Sequence, residues 1–230
     1  WERHTTIVGN DTIHYLRWTG TQYLNNPGNL LLEYKIQINN PGIYRFIWNS
    51  KVGKGTDPTE HNDDWLRIPD AADFYGYRSS DNDTVRPRPI CTDDCPEGSS
   101  KDGWFKVYSS GTTNWTWSTR TSDSDAHPIY ARFDTAGVYT VQISARSSYH
   151  LLNRFILYKE VMYDQGEVTK LSLPESRMFP FNRISQIVAI GDSLHTFLIP
   201  NTDASVDTIL IALEDSSVID DFYIEETPEG

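Results

Sequence analysis

Residues 59 to 65 read Thr-Glu-His-Asn-Asp-Asp-Trp, and this short run holds two kinds of chemistry. With Asp57, its Glu60, Asn62, Asp63 and Asp64 offer hard oxygens of the kind calcium takes, without the spacing of an EF-hand. A second acidic stretch, Asp123 and Asp125 beside His127, is placed to complete such a site across the end of a β-sandwich. The expected calcium set is Glu60, Asp63, Asp123 and Asp125. Its role would be structural, because nothing in the chain offers the ion a nucleophile to activate. Zinc is not expected, since His61, His127 and His150 are too widely spaced for a compact ligand motif.

The second chemistry is aromatic. Sugars present flat C–H patches that stack on indole and phenol rings, while their hydroxyls bond to planar polar side chains. Trp65, Trp104, Trp115 and Trp117 all flank polar loops, and Trp115 and Trp117, two residues apart, share one strand face. His61, Asn62, Asp63, Arg120, His127, Arg146 and His150 are the planar polar partners near the expected strand ends. For an acidic glycan, Lys51, Lys54, Arg86 and Arg88 could meet carboxylates or sulfates.

Catalytic signatures are sparse. The chain has no Gly-x-Ser-x-Gly elbow, His-Glu-x-x-His helix, phosphate loop or Rossmann fingerprint. Two-carboxylate hydrolysis needs acids about 5 to 10 Å apart, for which Glu60 with Asp123 or Asp125 are the candidates. Arg146, His150 and Tyr130 imitate the set a jelly-roll lyase would need. No catalytic residue is assigned, and the expectation is a chain that is not an enzyme.

These groups need a rigid frame, and strand patterns supply it. Leu32, Tyr34, Ile36 and Ile38 alternate with polar residues, Asn40-Pro41-Gly42 turns the chain, and Tyr44, Phe46 and Trp48 alternate again, which reads as a hairpin or a meander corner. The same grammar recurs from Tyr130 through Asp134-Thr135-Ala136-Gly137 to Tyr139, Val141 and Ile143, and a closing strand runs from Asn153 to Tyr158. Residues 51 to 103 read as long, polar and irregular, interrupted by a strand at Trp65 to Ile68. No helical window is predicted. The predicted class is all-β, an antiparallel sandwich whose loops gather at its two ends.

The 230 residues carry a net charge of −12, with 17 basic and 19 acidic residues up to position 160, and 3 against 13 beyond it. Nucleic acid is excluded as a partner, because its affinity rests on Lys and Arg neutralising phosphates. No run approaches eighteen apolar residues, so no membrane partner is expected. Cys91 and Cys95 are close enough to close a small disulfide loop, which would indicate secretion; a metal pair is the alternative, although no second pair follows at finger spacing.

Three segments together resemble a known group: Leu32 to Phe46, Thr59 to Ile68, and Phe133 to Ser147, closed by Arg154-Phe155-Ile156-Leu157-Tyr158. They are similar to the jelly-roll carbohydrate-binding modules of the galactose-binding-like superfamily, of which families 6 and 35 are familiar members. The likeness covers about residues 1 to 160, although Arg154 stands where those families often carry an acid and the Cys-bearing insert has no counterpart. The resemblance implies a secreted or cell-surface, monomeric module that binds polysaccharide without cleaving it, the glycan plant or algal and acidic in many such cases. It also implies a tethered polysaccharide-degrading catalytic domain. Residues 161 to 230 are expected to form a small β-rich acidic extension docked on the jelly roll, with strands at 166–173, 184–191, 196–200, 206–213 and 218–225.

Overall fold

A computed structural model describes residues 1–89, 100–174 and 176 together with the strands at 184–190, 193–198 and 210–212. Contacts divide the chain into two compact units, Trp1–Pro174 and Glu175–Gly230. Cys91 and Cys95 lie outside the described residues, as does the expected strand at 218–225.

The described residues of the first unit form twelve strands: β1 (Glu2–Val8), β2 (Asp11–Arg17), β3 (Leu31–Ile38), β4 (Gly42–Val52), β5 (Asp63–Arg67), β6 (Asp73–Arg78), β7 (Asp83–Val85), β8 (Ser100–Lys101), β9 (Trp104–Tyr108), β10 (Ile129–Phe133), β11 (Gly137–Ser144) and β12 (His150–Tyr158). They form a seven-stranded sheet in the order β1-β2-β12-β4-β10-β6-β7 and a five-stranded sheet in the order β3-β11-β5-β9-β8. Every pairing is antiparallel, so this unit is an all-β sandwich. Between the sheets lies a core of Phe46, Trp48, Leu66, Phe105, Val107, Ile129, Phe133, Val141 and Ile143. The period-2 alternation of β3 and β4 delivers those rows inward, as the pleat requires.

Three local readings change. Asn40-Pro41-Gly42 joins β3 to β4, and Asp134 to Ala136 joins β10 to β11, yet neither pair of strands shares a ladder: β3 and β11 belong to the smaller sheet, β4 and β10 to the larger. Both turns are corners that carry the chain from one sheet to the other. The span from 51 to 103 is more ordered than its polarity suggests, since its described residues contribute β5, β6, β7 and β8. Within 166–173, Gln165–Val168 forms the single-turn helix α1 where a strand is expected, and the Asp164 N–H donates to Glu167 Oε2 at 2.8 Å. That reciprocal contact is the signature of a helix start.

Residues 109–128 form a crossing segment that leads from β9 of the smaller sheet to β10 of the larger, passing beside the edge of β4 beyond the end of β10. Ser50 and Thr116 exchange backbone hydrogen bonds of 3.0 and 2.9 Å, and the Thr119 hydroxyl bonds the Trp48 backbone. Ile47 and Asn49, which alternate with the core residues Phe46 and Trp48, are buried as well. In the second unit, β13 (Ile184–Ile190), β14 (Ser193–Leu198) and β15 (Leu210–Ala212) make an antiparallel three-stranded sheet. Among the described residues, no helix is long and apolar enough to cross a membrane.

Candidate functional site

Three connections meet at one end of the sandwich: residues 18–30 after β2, 53–62 after β4 and 145–149 before β12. Their backbones are tied together, Tyr149 N–H to Trp18 O at 2.7 Å, Gly53 N–H to Tyr149 O at 2.8 Å and Tyr23 N–H to Arg146 O at 2.8 Å. Gly53 is required here. A Cβ at that position would stand 2.8 Å from the Tyr149 carbonyl oxygen, closer than real Cβ contacts allow.

Beneath these loops lies a buried polar network. Asp64 and His150 are both 0% exposed, with His150 Nδ1 2.7 Å from Asp64 Oδ2, and Arg146 N–H donates to Asp64 Oδ1 at 3.0 Å. Burial pushes the Asp64 carboxyl up to about 6, while His150 and the Arg146 amide pull it down and Asp63 pushes it further up. Asp63 accepts from Arg146 Nη1 at 2.5 Å and from the Ser147 hydroxyl, and Lys106 Nζ lies 3.5 Å away. The network fixes the 145–149 loop to the start of β5, so the loop is held from below by charge-assisted bonds.

On top of that base stand two strained residues. His61 and Tyr149 adopt φ of 54° and 65°, a left-handed conformation unusual for a histidine and rarer still for a bulky tyrosine. Their rings meet edge to face at 6.0 Å, and His61 Nδ1–H donates to Ser148 O at 2.6 Å. Lys54 Nζ and Arg17 Cζ lie 5.0 and 5.8 Å from the centre of the Tyr149 ring. Trp18 continues the aromatic surface towards Tyr23 and Trp1, with ring separations of 6.3 and 6.4 Å. All five rings are half-buried.

The structure sorts the expected binding residues. Trp65 and Trp104, each 2% exposed, have no free face for a sugar: Trp65 donates to Tyr23 O at 2.8 Å beneath the Arg146 guanidinium, and Trp104 is covered by Arg67 at 4.4 Å. Asn62 is buried against Ser109 O, and Arg146 is committed to Asp63. Trp115 and Trp117 are half-buried on the crossing segment, where Trp115 packs edge-on against Tyr15 at 5.5 Å. His127 is fully buried, in a separate cluster. The Arg120 backbone exchanges hydrogen bonds with Tyr108, at the end of β9 in the smaller sheet. Of the original set, His61 alone joins the strained pair.

The expected calcium ligands are likewise divided. Asp63 and Asp123 both face Lys106 Nζ, at 3.5 and 2.6 Å, so an ammonium stands where an ion would. Glu60 is exposed. Among the described residues, the metal-ligating atoms that gather within 4.8 Å belong to Asp83, Asp125 and His127. There His127 Nε2 lies 2.9 Å from Asp83 Oδ2, and Arg78 pairs with both carboxylates. Gly76 makes room for this imidazole, since a Cβ there would meet His127 Cβ at 2.9 Å.

Comparison of the chain with protein-family models, curated proteins and solved structures gives no match. The site is therefore read from its own chemistry. Tyr149, Trp18 and Tyr23 were missed in the sequence, although Tyr149 sits between Arg146 and His150; the signal, a tyrosine in a left-handed turn, exists only in the backbone.

Proposed function

We propose that the Trp1–Pro174 unit is a non-catalytic polysaccharide-binding module, with its site on the loop end formed by His61, Tyr149, Trp18 and Tyr23 and flanked by Arg17 and Lys54. The observation that carries the reading is the strained His61–Tyr149 pair: two rings held in a costly backbone conformation by a buried ionic base, with two cations beside them. Rigid rings next to hydrogen-bond donors suit stacking on a sugar face at little cost in side-chain entropy. The Asp64–His150 pair has the shape of a catalytic dyad, but its complete burial keeps substrate away and favours a supporting role. In this account the chain is secreted or at the cell surface and is joined to a polysaccharide-degrading domain. Calcium, where it binds, is structural and competes with Arg78 for the Asp83 and Asp125 carboxylates.

Calorimetry with soluble plant and algal polysaccharides tests the assignment. Tyr149→Ala is expected to weaken binding about tenfold or more, as for a central aromatic anchor, whereas Trp117→Phe on the crossing segment should leave it unchanged. Equal affinities for wild type and Tyr149→Ala would place the site elsewhere.

A further inference from the structure

A second constellation lies on the outer face of the larger sheet, towards the Gly42 end of β4. Register places Tyr158 of β12 opposite Arg45 of β4, Arg45 opposite Tyr130 of β10, and Tyr130 opposite Tyr75 of β6, so four strands present one continuous row. The Tyr75 and Tyr130 rings stack at 5.7 Å with planes 19° apart. Beside the row opens a cleft of about 410 Å³ lined by Gly42, Ile43, Arg45, Tyr130, Lys159, Glu160 and Val161. That volume falls within the range of small-ligand sites, about 300 to 1,000 Å³.

The charges in this cleft are unevenly matched. Glu160 accepts from Arg45 Nη1 and, at 2.6 Å, from the Tyr130 hydroxyl, and it is the only carboxylate among the lining residues. Against it stand Arg45, Lys159 and the adjacent Arg120. Arg45 is 11% exposed, and its Nε is buried without a hydrogen-bond partner among the described residues. Lys159 Nζ bonds the Pro41 carbonyl at 2.7 Å. Arg120 donates to Thr119 O at 2.9 Å and pairs with no carboxylate among the described residues. Its guanidinium is disfavoured first by burial and then by the neighbouring Arg45, while Tyr108, Tyr130 and Glu160 act the other way. Half-buried arginines held close together with a single shared acid form an anion site whose internal counterion already occupies part of it. Glu160 is 43% exposed and lies just beyond the end of β12, so its side chain can swing out without disturbing the sheet.

We propose that this cleft is an acidic-sugar subsite, in which the carboxylate of a uronic acid replaces Glu160 on Arg45 and the Tyr130 hydroxyl while its ring lies against Ile43 and Val161. The assignment deepens the polysaccharide-binding reading and rests on it for the sugar character of the ligand. The anion chemistry comes from the arginines alone.

The test is an NMR or calorimetric titration of the full chain with glucuronate, glucose and acetate. Glucuronate should bind measurably tighter than either glucose, which lacks the charge, or acetate, which lacks the ring. Glu160→Gln removes the competing carboxylate and is expected to tighten glucuronate binding about fivefold. Arg45→Gln should weaken it at least about tenfold. Because Arg45 is packed into the sheet, Tyr130→Phe is the companion variant, keeping the ring and losing one donor, with an expected loss of about threefold. An unchanged affinity in Glu160→Gln, or equal binding of glucuronate and glucose, overturns the subsite. Binding of acetate as tight as that of glucuronate overturns the sugar assignment and leaves a plain anion site. Failure of the polysaccharide reading looks different: the full chain then binds none of the polysaccharides while the glucuronate response of the cleft variants persists.

Discussion

Truncating His150 to alanine is expected to destabilise the Trp1–Pro174 unit by about 3 to 5 kcal/mol, the combined cost of the cavity left behind and of a buried carboxyl stripped of a hydrogen-bond partner. Asp64 would keep the Arg146 amide at 3.0 Å and lose the imidazole at 2.7 Å, with no solvent to take its place. Trp48, which packs edge-on against His150 at 5.5 Å, would lose a neighbour as well. At about 2 to 4 °C per kcal/mol for a unit of this size, the midpoint should fall by roughly 6 to 20 °C. Adding Asp64→Asn to the same chain removes the stranded carboxylate, so the double variant should lose less than the sum of the two single losses. Urea denaturation measures all three, and a loss below about 1 kcal/mol for His150→Ala would contradict the role given to this network.

The same carboxyl makes stability depend on pH. Burial holds Asp64 up to about 6 in the folded chain, against about 3.9 when unfolded. The folded state therefore binds more protons between those values. The stabilising contribution of Asp64 is fully present below about pH 4 and is lost as pH rises through about 6. A shift of about two units corresponds to about 3 kcal/mol. Arg146, Asp63 and His150 surround the group, and comparison of wild type with Asp64→Asn isolates the effect of its carboxyl. From pH 4 to pH 7, the stability of wild type relative to Asp64→Asn should fall by about 2 kcal/mol. Parallel curves for the two proteins would show that Asp64 ionises as an exposed acid does.

Much of the sandwich was legible because burial follows the two-residue period of a strand. Leu32 to Ile38 and Tyr44 to Trp48 therefore point where alternation says they must. Sheet membership was not legible: Asn40-Pro41-Gly42 serves a corner as well as it serves a hairpin, and only the ladder partners of β3 and β4 tell them apart. The site was obscured by a different effect. Asn62, Asp63 and Asp64 read as a solvated acidic loop, yet the structure supplies Arg146, Ser147, His150 and the Ser109 carbonyl as partners from positions 47 to 86 residues away, and so buries them. With those acids buried, the adjacent Trp65 lies in the core, and the half-buried rings at this end are those of Trp18 and Tyr149. Arg146 and His150, expected among the ligand-binding residues, are committed to Asp63 and Asp64 beneath the loops. The helix at Gln165 was readable from Asp164 and Glu167, three residues apart, in a stretch whose apolar alternation suggested a strand.

The most direct test of the central claim is a glycan array printed with neutral and acidic plant and algal polysaccharides, probed with the full chain and with Tyr149→Ala. A reducing-end assay of the same glycans in solution completes it. Wild type should be retained on at least one polysaccharide, Tyr149→Ala should lose that signal while melting at the wild-type temperature, and no new reducing ends should appear. Retention of Tyr149→Ala equal to that of wild type, an array with no captured glycan, or release of reducing ends by the chain itself would contradict a binding module built on the His61–Tyr149 pair.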